Sequence, residues 1–367
     1  MMMTTLEQPQ TVMVQPIDER QQLLLKIRGK TVHIPDLQPI FADWLEVHRH
    51  QISPWIEPLR KKVNEKIQSL NFSNARQKQL EKADFGLLTA TWWPEAPLER
   101  LCILAYIIIW LFTWDDEIDE PAGTYSEDFH GAQVYREQTL RFVERCLGLA
   151  AASPDESDSP HPNPIVQSFE AIGSALRACY DAGQIRRLYD EVARFVRGTE
   201  AEQRGRLDGR VPTVEEYWAL RRSTSAVYIS TAAGEYAMAA RLPAAVMGGR
   251  AMRALWDETN LVIAICNDLV SLRKEVGLGC IESIVPLTFA ATNDIREAVS
   301  LSVAALRAAK ERFDNAARDL LAGGAETEDL YKQIQGFINI QKTNCVGNLT
   351  WRYDFHSLHI NISIANS

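Results

Sequence analysis

The chain carries no CxxC pair. Its six cysteines (Cys102, Cys146, Cys179, Cys266, Cys280 and Cys345) are scattered, so reduced core thiols are expected, and neither a zinc site nor a disulfide framework is. No Lys/Arg-rich tract is present. With 39 basic against 48 acidic residues and a net charge of -9, there is no basic face to neutralise a phosphate backbone, which excludes nucleic acid as a partner. The longest apolar run, Leu101 to Trp114, spans 14 residues with Thr113 as its one polar member. A membrane-spanning helix needs roughly 18, so this run predicts a buried core helix and no membrane insertion. The stretch Met1–Gln15 lacks a basic segment followed by an apolar core, so a secretory signal is not expected and a cytoplasmic location is. A Gly-rich phosphate loop, a nicotinamide fingerprint and a Ser/His/Asp arrangement are all missing. A fixed-period repeat is missing too, which excludes a helical solenoid.

What the sequence does hold is helical periodicity. Of its 367 residues 46% are apolar and 24% charged, the mix of a globular chain large enough for a sizeable core. Residues 1–38 are expected to be loosely ordered, with a hairpin-like element around Gly29 in the weakly alternating stretch Leu23–Ile34. Residues 39–367 predict one all-α domain, with helices including Asn74–Thr89, Leu98–Asp116, Val214–Ala240, Arg250–Val276 and Asp294–Gly323. The Pro-, Ser- and Asp-rich segment Ala152–Pro164 reads as a surface loop inside that domain.

Three groups of residues carry chemistry. The first is Asp115-Asp116-Glu117-Ile118-Asp119, at the end of the apolar helix. Asp115 and Asp119 are four residues apart and share a helix face, where like charges repel unless a cation lies between them. Clustered carboxylates suit a hard cation such as Mg²⁺, although a solvated acidic helix end has the same composition. The second is Asn267-Asp268-Leu269-Val270-Ser271-Leu272-Arg273-Lys274-Glu275. Asn267, Ser271 and Glu275 recur every fourth residue, one stripe of amide, hydroxyl and carboxylate oxygens continuing an apolar helix. Left unbound, such a stripe would be an exposed polar face. Neither group has enough ligands to hold Mg²⁺ alone, but a diphosphate would supply the remainder. Bridging cations would also let an acidic protein bind an anionic substrate. The third group is basic: Arg221-Arg222, early in a helix opened by the capping box Thr213-x-x-Glu216, and Arg352-Tyr353 near the end of the chain. Arginine donates bidentately to phosphate, and tyrosine adds a neutral donor.

DDEID at 115–119, RR at 221–222, NDLVSLRKE at 267–275 and RY at 352–353 form an ordered set over most of the chain. In this it resembles a class I terpene synthase of the single-domain kind found in fungi and bacteria. The resemblance implies a single-domain helical bundle of the class I terpenoid synthase type around a central apolar cavity. It implies three Mg²⁺ ions, with Asp115 and Asp119 on one side, and Asn267, Ser271 and Glu275 on the other. Arg222 would sense the diphosphate, with Arg221 the second choice; Lys274 would contact it; Arg352 and Tyr353 would close over it. The family often has Gly four residues after the sensing arginine, at a helix break; here that position is Ala226, whose backbone breaks less readily. Aromatic faces stabilise carbocations, and the candidate walls are Phe85, Trp92, Phe112, Tyr228 and Trp351.

The expected reaction is ionisation and cyclisation of a linear prenyl diphosphate, farnesyl diphosphate first, to a cyclic sesquiterpene plus diphosphate, by a monomer or homodimer. A diterpene cyclase acting on geranylgeranyl diphosphate stays open. So does a chain-elongating prenyltransferase, which would carry a second aspartate-rich cluster in place of NDLVSLRKE. A non-catalytic helical scaffold would leave both polar stripes without a common ligand.

Overall fold

The computed structural model describes residues 18–48, 52–150, 161–323, 327–355 and 361–363. It is all-α apart from one two-stranded pairing. In chain order, α1 (Glu19–Ile27) and β1 (Thr31–His33) precede α2 (Ala42–His48), α3 (Ile56–Ser69), α4 (Asn74–Lys82) and α5 (Phe85–Trp92). Next come α6 (Leu98–Asp119), α7 (Phe129–Cys146), α8 (Pro164–Gln167), α9 (Phe169–Arg177) and α10 (Ala182–Leu207). Three short segments follow, α11 (Val214–Thr224), α12 (Val227–Ala232) and α13 (Gly234–Met238), then α14 (Ala244–Met247). The long α15 (Arg250–Leu278), α16 (Ile284–Thr292), α17 (Ile295–Gly323), α18 (Glu328–Phe355) and β2 (Asn361–Ser363) complete the chain.

The centre is made by the helices whose sequences are apolar on every side. In α6 every residue from Ile107 to Leu111 is buried, as are Trp114 and Ile118. A helix apolar all round must be enclosed by others. In α15, burial is continuous from Thr259 to Cys266, and the amphipathic α17 packs along it. The eight residues of α5 are all buried. It lies against α18 so closely that a side chain at Gly347 would stand 2.9 Å from Thr91 Oγ1, which explains a glycine there. Each buried large apolar side chain contributes about 1.5–3 kcal/mol. No helix among the described residues is long and apolar enough to cross a membrane.

The N-terminal segment departs from its sequence reading over residues 18–38. Leu23–Ile34 is not a hairpin: α1 ends before a turn at Gly29, whose φ of 78° favours glycine. β1 then pairs antiparallel with β2, with Val32 opposite Ile362, so the partner comes from the far end of the chain. Leu23, Ile27, Val32 and Ile34 are buried in the core. The alternation was real, but a non-local strand satisfies it. Residues 1–17 and most of the loop at 152–164 lie outside the described residues.

Two predicted helices are broken. Asn74–Thr89 splits at Asp84, which adopts a left-handed backbone (φ 48°) while its side chain accepts a hydrogen bond from the Leu87 amide. Val214–Ala240 divides into α11, α12 and α13. The first break falls at Ala226, also left-handed, with φ 59°. An alanine there costs about 1–2 kcal/mol, so the surrounding packing enforces the break.

Candidate active site

One cavity of about 270 Å³ opens between α6, α10, the α11–α12 break, α15 and α18. Its inner walls are apolar, with Leu88, Trp92, Ile108, Phe112, Phe195 and Trp351 among them. Its mouth is polar: Asp115, Asp116, Asp119 and Glu120 on one side, Arg221, Asn267, Lys274 and Glu275 on the other. The two sides are within reach of each other, since Lys274 Nζ lies 3.9 Å from Glu120 Oε1.

The stripe on α15 is bonded along its length. Ser271 Oγ stands 2.6 Å from Glu275 Oε1 and 3.3 Å from Asn267 Oδ1. Three oxygen donors from successive turns therefore converge. Asp268, the next residue in the motif, turns inward instead. It is buried and accepts from the Tyr217 hydroxyl, the Ile284 amide at 2.8 Å and Arg221 Nη2 at 3.4 Å.

The acidic side is organised differently. Arg76 from α4 reaches Glu117 at 2.6 Å and Asp116 at 3.7 Å. Asp119 is taken by Arg206 of α10, at 2.6 Å; the same guanidinium donates to the Ile118 and Ser126 carbonyls. Burial, then the charges of Asp119 and of Glu202 on α10, push the Asp115 carboxyl well above the usual carboxylate range. Burial followed by Glu120 raises Asp116 to about 7, against the pull of Arg76. Glu202, whose Oε1 accepts from the Thr224 hydroxyl at 2.5 Å, is also raised to about 7, by burial and then Asp119. Carboxyls this crowded hold a proton, or take a cation in its place. Among the described residues no three His, Cys, Asp or Glu side chains converge into a metal cage. An all-oxygen donor set, incomplete and too negative by itself, fits a hard divalent cation that a substrate's oxygens would finish coordinating.

The basic residues sort by helix phase. Arg221 lines the cavity beside Asp268. Burial alone would ease its proton off, but the charges of Tyr217, Asp268, Glu202 and Glu275 outweigh that and hold it firmly cationic. Arg222, the first choice from sequence, is absent from the cavity wall. Successive helix residues point 100° apart, so only one of the pair can face inward. Tyr228 is likewise absent from the wall. Its hydroxyl donates to Asp257 at 2.6 Å, and the Arg194 and Arg253 guanidinia stack on its ring at 5.2 and 4.7 Å. Phe85 stands one layer behind, against Phe112 at 5.1 Å and Trp351 at 6.4 Å. Phe112, Trp92 and Trp351 do line the cavity. The backbones of Arg352 and Tyr353 belong to α18, while their side chains lie outside the described residues.

Sequence reasoning missed Glu202, Arg206, Thr224, Phe195 and Asn348. Each is a single residue on a helix whose rotation sequence does not give. One signal was present: the capping box that starts α11 at Thr213 fixes where Arg221 and Thr224 fall on that helix.

A helical bundle with an apolar cavity and an oxygen-lined mouth fits a class of enzyme that binds a cation and handles an anionic, largely hydrocarbon substrate. The family model for terpene synthase family 2, C-terminal metal binding, matches residues 106–319, and the chain belongs to this family: it is a class I terpene synthase that cyclises a prenyl diphosphate. Among its relatives is sesquiterpene cyclase hepA of Aspergillus oryzae, 32% identical over 93% of this chain and 92% of that protein. Another is terpene cyclase braA of Annulohypoxylon truncatum, 26% identical over 92% and 88% respectively. The crystal structure of α-eudesmol synthase superimposes with a TM-score of 0.71 at 17% identity, covering 83% of this chain and 96% of that one. Hedycaryol synthase gives 0.68 at 19% identity, covering 83% and 95%, and both likenesses concern the fold alone.

Proposed function

We propose that this enzyme ionises farnesyl diphosphate with Mg²⁺ and cyclises the resulting cation to a sesquiterpene. The observation that carries the reading is the opposition of two oxygen-lined walls, Asp115 with its neighbours and Asn267 with Glu275, which the buried Ser271 ties together, across the mouth of one apolar cavity. The relative named as a sesquiterpene cyclase supports a C15 substrate.

Three Mg²⁺ ions, held by Asp115 on one wall and Asn267, Ser271 and Glu275 on the other, would neutralise charge on the departing diphosphate. Asp119 contributes only by giving up Arg206. Arg221 replaces Arg222 as the arginine that senses diphosphate, because it is the member of the pair at the mouth. Lys274, free to leave Glu120, donates a further cationic contact. Arg352 and Tyr353, four and five residues beyond the cavity residue Asn348, serve as donors on closure. The apolar walls exclude bulk water from the cation, and Phe112, Trp92 and Trp351 offer it ring faces. The left-handed Ala226 and its neighbours Thr224 and Ser225 put the α11–α12 break on the cavity wall.

The test is separate incubation with geranyl, farnesyl and geranylgeranyl diphosphate and Mg²⁺, with gas chromatography–mass spectrometry of the products. A cyclic C15 product from farnesyl diphosphate is expected, with no chain lengthening on addition of isopentenyl diphosphate. No diphosphate release from any of the three would overturn the reading.

A further inference from the structure

The cavity lining contains polar groups that the ionisation does not use. Asn348 of α18 borders the cavity, is only 3% exposed, and its Nδ2 has no hydrogen-bond partner. Trp92 of α5 borders it too, and its Nε1 is equally without a partner. Ser230, on α12, adds a buried hydroxyl to the same lining. These groups share the cavity lining with Leu88, Ile108, Ile263 and Trp351, and a prenyl chain has no oxygen to offer them. A buried N–H without an acceptor is costly and uncommon, and the usual remedy is a bound water. The cavity is roomy enough for one, and its lining offers these polar groups to keep it.

We infer that Asn348 is a specificity-determining residue that holds one water inside the cavity, and that this water ends the reaction, so that the principal product is a cyclic terpene alcohol. The inference rests on the reading of the previous subsection. Asn348 carries the assignment because an amide both donates and accepts. Nδ2 can donate to the water oxygen, or Oδ1 can accept a hydrogen bond from it, and either arrangement leaves an oxygen lone pair for the cation. The water oxygen forms a bond to the cationic carbon. The oxonium so formed passes one proton to an oxygen of the diphosphate that ionisation released. One prenyl diphosphate and one water become one cyclic alcohol and one protonated diphosphate, with no change of oxidation state. A lone water differs from bulk solvent in timing, because its fixed place lets it reach only a cation that folding of the chain has brought alongside.

The experiment is incubation of the full-length enzyme with Mg²⁺ and farnesyl diphosphate in H₂¹⁸O, read by gas chromatography–mass spectrometry beside an assay of diphosphate release. The expected result is a principal product two mass units heavier than in ordinary water. Asn348→Leu should lower the alcohol share of total product at least tenfold, in favour of hydrocarbon. Asn348→Ser, which keeps a polar group, should retain a larger share than the leucine variant. Diphosphate release with only unlabelled hydrocarbon from the wild type would overturn the inference and leave the proposed function standing. An unchanged alcohol share in a folded Asn348→Leu would overturn it as well. Absence of diphosphate release from the wild type would overturn both readings together.

Discussion

On α15, Ser271 ties Asn267 and Glu275 into a bonded stripe before any ligand arrives, whereas on α6 the carboxylates of Asp115, Asp116 and Asp119 crowd one another and Glu202. One wall is preorganised by hydrogen bonds; the other is held under electrostatic strain and has surrendered part of itself, Asp119, to Arg206. Breaking the first should remove function without relieving any repulsion. Breaking the second should remove function and steady the fold at once, the usual exchange between activity and stability at a charged site.

The largest effect comes from emptying both walls together. EDTA should abolish turnover and Mg²⁺ restore it, because every proposed ligand is an oxygen donor; full turnover in metal-free buffer would contradict the mechanism. Next, Asn267→Ala, Ser271→Ala and Glu275→Ala should each lower kcat about 10²-fold or more, the equivalent of roughly 3 kcal/mol of transition-state stabilisation. Circular dichroism should be unchanged. Near-normal rates in all three would make the stripe a merely solvated face.

Asp115→Asn sharpens the contrast, because its two readouts move in opposite directions. Turnover should fall more than in Asp116→Asn, while the metal-free protein gains stability, because the amide, unlike the carboxyl, need not take up a proton to fold among these acids. A variant that is both active and no more stable would mean the acidic wall is not the cation site. Arg221→Lys should cost roughly tenfold or more in kcat/KM, since lysine lacks the planar fork, and Arg222→Lys should change it little. The reverse order would show that helix phase had been misread.

The acidic wall also sets a pH dependence. Asp116 and Glu202 are raised to about 7, and Asp115 is raised as well, so between about 4 and 7 the folded state binds more protons than the unfolded chain. The metal-free protein should therefore lose stability as pH rises from about 4 to 7, with a Tm lower by a few degrees on the order set by domain size. Protons and cations compete for the same carboxylates, so the rise in Tm on adding Mg²⁺ should be greater at pH 8 than at pH 6. A Mg²⁺ effect independent of pH would remove Asp116 and Glu202 from the linkage. The smallest effect belongs to Ala226→Gly, which trades a strained left-handed alanine for a more flexible chain. The change in stability should stay within about 1 kcal/mol of wild type, and a large loss would mean that the alanine methyl packs the cavity wall.

The sequence by itself determined the parts of this enzyme that are periodic. A spacing of four residues puts Asn267, Ser271 and Glu275 on one helix face whatever surrounds them, because the α-helix repeats every 3.6 residues. The run from Leu101 to Trp114 had to be buried, and charges at its end had to sit at the edge of whatever enclosed it. Tertiary structure alone decided how each helix is rotated about its axis once docked. That rotation turned Arg221 inward and sent the adjacent Arg222 elsewhere, and it spent Tyr228 on Asp257. It brought Glu202 and Arg206 from α10 to the acidic wall, and Asn348 from α18 into the cavity lining. It also gave the residues around Gly29 a strand partner from the far end of the chain. A one-residue turn of a helix moves a side chain by 100° at no cost to its hydrophobic pattern, so only packing against neighbours can fix which of two adjacent residues meets the substrate.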